Sequence, residues 1–255
     1  MNQNLHLKLK SEDIAKYVLL AGDPARLDVV KEFLDSSREL FYEREFRAIK
    51  GSYQGIPVLA VSTGIGAPST AIVVEELIQL GVKVFIRIGT CGGSWRQDIS
   101  VGSLIIPSAC VREDGTSQEY LSRSFPSVAD YQVISALAES ADSQKAKYYV
   151  GINRTHDAFY GNVGSKLGWQ KTFQNLGIKE SPIISSDMET SIIFVLAGLR
   201  GVKAGAVLAV NADPEPLMNK ELKNPVIEFN SELSKKVIKQ AIKVALESLV
   251  ILEKI

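Results

Sequence analysis

The sequence predicts an α/β protein, and three observations predict it. Apolar runs of strand length alternate with amphipathic helical stretches along the 255-residue chain. Residues 57–93 read as a complete βαβ unit with a glycine-broken loop after each strand. A long amphipathic helix over 230–253 closes the chain, with Val237, Ile238, Ala241, Ile242, Ala245, Leu246 and Leu249 apolar. No repeat, linker or low-complexity break interrupts the pattern, so residues 1–255 are expected to form one domain.

The elements follow in order. Tyr17 to Gly22 is apolar and reads as a strand. Asp23-Pro24 then supplies an N-cap and a proline at the first helical position, for a helix running to about Phe33. Residues 38–61 read as strands with a turn at Gln54-Gly55. In the βαβ unit, Pro57 to Val61 is a strand and Ser62 to Gly66 a loop. Pro68 and Ser69 start a helix that Gly81 stops. Val82 to Ile88 is a second strand, and Gly89-Thr90-Cys91-Gly92-Gly93 a second loop. Strands are expected at Val101–Ala109, Tyr148–Asn153 and Ala204–Val210, with a polar loop at 111–115. Helices are expected at 126–143 and from Asp187 to Arg200. Residues 157–186 are the least regular part. Residues 211–226 carry three prolines and form a loop of lid length.

Composition narrows the function. A hydrophobic content of 45% with 23% charged residues is that of a globular protein. The formal net charge is zero, which argues against nucleic acid or an acidic membrane as partner. Cys91 and Cys110 lack metal-ligand spacing, and no apolar run approaches the roughly 20 residues of a membrane span. These features lead to the expectation of a cytoplasmic protein.

Four polar residues stand out. Arg87 interrupts the apolar run Val84-Phe85-Ile86-Arg87-Ile88, where it is either half of a structural ion pair or a guanidinium aimed at an anion. Arg26, in a first helical turn, is either solvated or shares an anion with that turn. Glu189 follows Ser186 at the spacing of a capping box, and could simply cap its own helix. His6, between Leu5 and Leu7, reads as a surface residue.

Taken together, ordered stretches resemble the nucleoside phosphorylase family, in the branch of uridine phosphorylase and hexameric purine nucleoside phosphorylase. They are Gly22-Asp23-Pro24-x-Arg26, Arg44-Glu45-Phe46, Ser62-Thr63-Gly64-Ile65-Gly66-x-Pro68-Ser69, Glu75-Glu76-Leu77, Arg87-Ile88-Gly89-Thr90, Val111-Arg112-x-Asp114-Gly115, Phe125-Pro126-x-Val128-Ala129-Asp130 and Met188-Glu189. The resemblance implies a three-layer α/β/α domain with a mixed, twisted central sheet. It implies a pentosyltransferase that cleaves the N-glycosidic bond of a ribonucleoside with inorganic phosphate, giving ribose 1-phosphate and free base, without an organic cofactor. By implication, Gly22, Arg26, Arg87 and Thr90 bind phosphate, with Arg44 lent across a subunit interface. Glu189 would hold the ribose hydroxyls, Met188 would pack on the sugar, and Phe159 would lie beside base and sugar. His6 would come from the neighbouring subunit of a homodimer or homohexamer. Glu45, Ile65 and Ser69 match a monovalent-cation site, with potassium as the ion.

The base-reading part departs from the family. Where uridine phosphorylases carry Gly-Gln-x-Arg, this chain has Gly161-Asn162-Val163-Gly164-Ser165, with Lys166 and Gln170 next in reach. Where purine enzymes place an aspartate, Asn211 and Asp213 both lie near. The overall wording is most like uridine phosphorylase, and the runner-up is a purine enzyme. A hydrolytic nucleosidase and a non-catalytic nucleoside-binding protein are the remaining readings, and Arg26, Arg87 and Glu189 argue against both.

Overall fold

The computed structural model describes residues 5–93, 95–160, 162–212 and 232–255. Tyr17–Ala21 forms β1, and all of it is buried. Val18 and Leu20 enter one hydrophobic core, whereas Tyr17, Leu19 and Ala21 enter another on the opposite face. A strand covered on both faces has no polar side to alternate with, which is why it reads as an unbroken apolar run.

Next come α1 (Arg26–Lys31), β2 (Ser36–Glu43), β3 (Phe46–Tyr53), β4 (Ile56–Ser62), α2 (Ala67–Gln79) and β5 (Val84–Gly92). Then follow β6 (Leu104–Glu113), α3 (Gly115–Tyr120), β7 (Ser127–Val128), α4 (Tyr131–Ser143) and β8 (Tyr148–His156). The remainder is α5 (Asn162–Asn175), β9 (Ile183–Asp187), α6 (Thr190–Arg200), β10 (Lys203–Ala212) and a terminal helix, α7 (Glu232–Leu252). The strands join in one mixed sheet in the order β10-β6-β8-β9-β5-β1-β4-β3-β2, with β7 beside β6. Because β10 also pairs with β5, the strands β5, β10, β6, β8 and β9 form a closed circuit. One core lies under α2 and α6, through Val73, Leu77, Ile192 and Leu196. The other lies under α1, α4 and α7, through Leu27, Leu137, Ile242 and Leu246. Each such buried side chain contributes about 1.5–3 kcal/mol. The expected sandwich with a mixed central sheet is therefore the observed one.

Several boundaries differ from expectation, each for a physical reason. Residues 89–92 are not a loop: they extend β5, because Leu208, Ala209 and Val210 pair with Gly89, Thr90 and Cys91. Likewise β6 runs on to Glu113 by pairing with β8. The helix expected from 126 begins at Tyr131, where the Asp130 side chain caps the N–H groups of Gln132 and Val133. Asp23 opens the turn before α1, accepting from the N–H of Ala25 at 2.8 Å, so that helix starts at Arg26. Within the irregular stretch 157–186, α5 and β9 form. Trp169 and Phe173, one turn apart in α5, cover Trp95 and Ile183 in a small satellite core. Asp213 and the rest of the long loop over 213–226 lie outside the described residues.

Arg112 accounts for one of the ordered motifs. Its buried guanidinium donates to Ser117 Oγ and to the carbonyls of Ser117, Leu121, Ser122 and Phe125, which folds residues 115–125 around one cation. Both cysteines, Cys91 and Cys110, are free thiols buried in the sheet.

Candidate active site

The site is built at the carboxyl ends of β1, β4, β5 and β9. Leaving β1, Gly22 packs so tightly that a Cβ on it would stand 3.3 Å from the carbonyl oxygen of Gly64. Gly64 has φ +70, and a Cβ there would meet Glu45 Cγ at 2.7 Å. Only glycine fits that position without strain. The first two loops therefore touch each other, and they lie beside the end of β5.

Arg87 is the centre. It is 3% exposed, on the face of β5 toward α6. Its Nε donates to Asp187 at 3.1 Å and its Nη2 to Glu189 at 2.5 Å. Its Nη1 is buried with no hydrogen-bond partner among the described residues. A buried guanidinium nitrogen left unpaired is costly, and an anion is the kind of ligand that would satisfy it. The Arg87 side chain folds back over Gly89, where a Cβ would stand 2.8 Å from Arg87 Cζ. Burial opposes its charge, but Glu189 and Asp187 outweigh that and hold Arg87 protonated.

Glu189 does not cap its own helix. Its Oε1 accepts from the N–H of Gly66 at 2.7 Å, and Asp187 instead receives the Thr190 N–H at 3.0 Å. Burial raises the Glu189 carboxyl above its ordinary range, Arg87 opposes that rise, and Asp187 adds to it. Arg26 is half-buried rather than free in solvent. Its Nη1 donates to the Ile88 carbonyl at 3.1 Å. Burial, and then the neighbouring charge of Arg87, push it down to about 10. Arg47 steadies the turn that carries Arg26, through Pro24 O at 3.1 Å and both oxygens of Asp28. Two guanidinium groups are thus held close together beside glycine-lined backbone.

Of the sequence-expected residues, Gly22, Arg26, Arg87 and Glu189 are brought together. Thr90 and Met188 are half-buried, next to them in the chain. Asn211 is 8% exposed and sits in a β-bulge between Val210 and Ala212, opposite Cys91 and Gly92. Phe159 is 43% exposed, edge-on to Tyr160 with ring centroids 5.1 Å apart. Arg87 is not among the residues that line the pocket of His6 and Arg44. That pocket, of about 190 Å³, is lined also by Leu5, Glu43 and Phe46, and the His6 Nδ1 is bonded to Glu76 at 2.8 Å. Arg44 sits in a tight turn at φ 56, a conformation uncommon for a non-glycine residue. Glu45 and Ser69 flank Gly64, and Ser69 Oγ donates to the Ile65 carbonyl at 3.3 Å. Those three therefore converge, while no group of three or more His, Cys, Asp or Glu among the described residues could hold a metal ion.

Two participants, and a buried histidine on a neighbouring strand, were not singled out from the sequence. Asp187, read as part of a helix, ends β9 and holds Arg87. Gly66 supplies the N–H to Glu189. His156, at the end of β8, is 6% exposed, its Nδ1 has no hydrogen-bond partner among the described residues, and burial with Arg154 lowers its basicity. The run Ser185-Ser186-Asp187-Met188-Glu189 carried the only signal, a dense polar cluster closing an apolar strand.

A mixed α/β sheet with cationic donors and glycines at its strand ends is the kind of setting in which α/β enzymes bind anions and small molecules. The chain belongs to the phosphorylase superfamily, whose family model matches residues 16–249. It is 39% identical to a uridine phosphorylase of Thermococcus kodakarensis over 82% of this chain and 76% of that one. It is also 39% identical to a uridine phosphorylase of Treponema pallidum, over 80% of each chain. The crystal structure of purine nucleoside phosphorylase from Toxoplasma gondii in complex with immucillin-H superposes with a TM-score of 0.88 at 30% identity, covering 100% of this chain and 98% of that one.

Proposed function

We propose that the protein is a nucleoside phosphorylase of the uridine phosphorylase type. It transfers a ribosyl group from a nucleoside to inorganic phosphate, its co-substrate. The observation that carries this reading is the buried, unpartnered Nη1 of Arg87, with Arg26 held beside it. Phosphate docks on these two cations and on backbone N–H groups at Gly22 and Thr90. A phosphate oxygen forms the new bond to the anomeric carbon as the bond to the base nitrogen breaks. The base leaves with the electron pair and takes up a proton. Glu189, anchored by Gly66 and Arg87, accepts from the ribose hydroxyls and faces the developing oxocarbenium charge. Met188 and Phe159 pack against sugar and base.

His6 and Arg44 fit a role in trans, since their shared pocket includes neither Arg26 nor Glu189 among its lining residues. They complete the site of a neighbouring copy in a homodimer or homohexamer, and residues 1–255 act as one domain. Glu45, Ile65 and Ser69 form a potassium site at the subunit edge. Two free, buried cysteines support a cytoplasmic location.

A purine reading is favoured by one feature. The buried Asn211, in its bulge opposite Cys91 and Gly92, offers an amide donor for a purine N7. Asp213 is the second candidate for that contact. Uridine, thymidine, inosine, guanosine and adenosine assayed with and without phosphate test both readings. Phosphate-dependent uridine cleavage that Arg87→Met abolishes is the expected result. Equal turnover without phosphate would establish a hydrolase instead. Inosine cleavage lost selectively in Asn211→Ala or Asp213→Ala, with negligible uridine cleavage, would establish the purine reading.

A further inference from the structure

We infer that Asp187 is a positioning residue that fixes which edge of Arg87 faces the bound anion, an inference that rests on the phosphate-binding reading above. Its side chain is 1% exposed and its carboxylate is saturated. Oδ2 accepts from Arg87 Nε at 3.1 Å, from the Thr190 N–H at 3.0 Å and from Thr190 Oγ1. Oδ1 accepts from Asn153 Nδ2 and Thr155 Oγ1, both at 2.8 Å. A carboxylate offers about four lone-pair sites, so none is left for a substrate.

Glu189 contrasts with it two residues later. It accepts from Gly66 and from Arg87 Nη2, and retains acceptor capacity for a ligand. The two carboxylates therefore divide the guanidinium between them. Asp187 locks Nε, Glu189 takes Nη2, and among the described residues Nη1 is left without a partner. Gly89 completes the restraint, because Arg87 Nη2 would lie 2.9 Å from a Cβ at that position. A planar fork clamped at one edge and backed by the main chain has one orientation left. Asp187, at the end of β9, thus sets the angle of a cation on β5, and its filled acceptor sites leave it none for nucleoside.

The test separates aim from stability. Asp187→Asn removes the charge and meets a ring of donors with an amide. Thr155→Val removes one donor to Asp187 without touching Arg87. Phosphate affinity is measured by calorimetry on the full chain, together with KM for phosphate, KM for nucleoside and Tm. D187N is expected to weaken phosphate binding by about ten- to a hundred-fold, the scale of a misplaced positioning contact, with a much smaller change in nucleoside KM. T155V is expected to lower Tm and leave phosphate affinity close to wild type. D187E, which keeps the charge but displaces it by one methylene, is expected to weaken phosphate binding and spare nucleoside KM. Unchanged phosphate affinity in folded D187N or D187E would overturn the inference, as would an equal loss in T155V. Wild-type turnover without phosphate would sink the phosphorylase reading alone. A wild type that binds no phosphate would overturn both.

Discussion

Glu189 Oε1 accepts the backbone N–H of Gly66 at 2.7 Å, joining the start of α6 to the glycine loop after β4 across 123 positions of sequence. The loop thereby orients the carboxylate, and the carboxylate holds the loop. Glu189→Gln keeps the length and this acceptor and loses the charge. Turnover should fall by on the order of a hundred-fold if the charge faces a developing cation. Tm should stay near wild type, because Asp187 still neutralises Arg87. Steady-state kinetics with a thermal melt check both, and a large loss of Tm with intact turnover would assign Glu189 a structural role.

Gly89→Ala tests the space behind Arg87. The new methyl would meet Leu208 Cδ2 at 2.7 Å and Arg87 Cζ at 2.8 Å. Overpacking of this kind costs about 1–3 kcal/mol. The guanidinium must move, so KM for phosphate should rise more than KM for nucleoside. Equal changes in the two would contradict this.

Alkaline pH should act through Arg26. Its pKa, pushed down to about 10 by burial and Arg87, leaves it charged at neutral pH and neutral above 10. Phosphate affinity should hold below that pH and fall above it, and Arg26→Gln should remove the alkaline step. On the acid side, burial raises Glu189, so as pH falls kcat should begin to decline before the pH at which an ordinary glutamate protonates is reached. A flat profile through both regions would contradict these assignments.

His6 and Arg44, in a pocket that Arg87 does not line, predict an oligomer if they serve a phosphate site. Sedimentation at working concentration should show at least a dimer. Arg44→Ala and Glu189→Gln proteins, each weak alone, should recover activity when mixed and allowed to exchange subunits. A fully active monomer would refute the shared site.

Arg87 was legible in the sequence because a guanidinium in an unbroken apolar run has to be paired or used. The glycine turns after β1 and β4 were legible through spacing alone, whereas the loop expected after Ile88 was not one. What the guanidinium is paired with was not legible, since Arg87 and Asp187 are 100 positions apart and meet only when β5 and β9 converge. Glu189 looked like a cap because local spacing cannot show that Asp187 has already satisfied the Thr190 N–H. The extension of β5 past Gly89 depended on a partner strand, β10, far along the chain. Helix α5 was hidden by Gly164 and Gly168 and by having few apolar anchors beyond Trp169 and Phe173.

The two buried thiols give the molecule an internal clock. Burial drives both Cys91 and Cys110 far above the ordinary thiol range, so neither forms thiolate while the sheet is closed. Alkylation by iodoacetamide can then proceed only from opened molecules. Cys91 lies on the β5–β10 seam and Cys110 on the β6–β8 seam, so their separate labelling rates time the opening of two different parts of the closed circuit. If phosphate seals the Arg87 end of β5, it should slow labelling at Cys91 more than at Cys110, reporting occupancy of the site without any turnover.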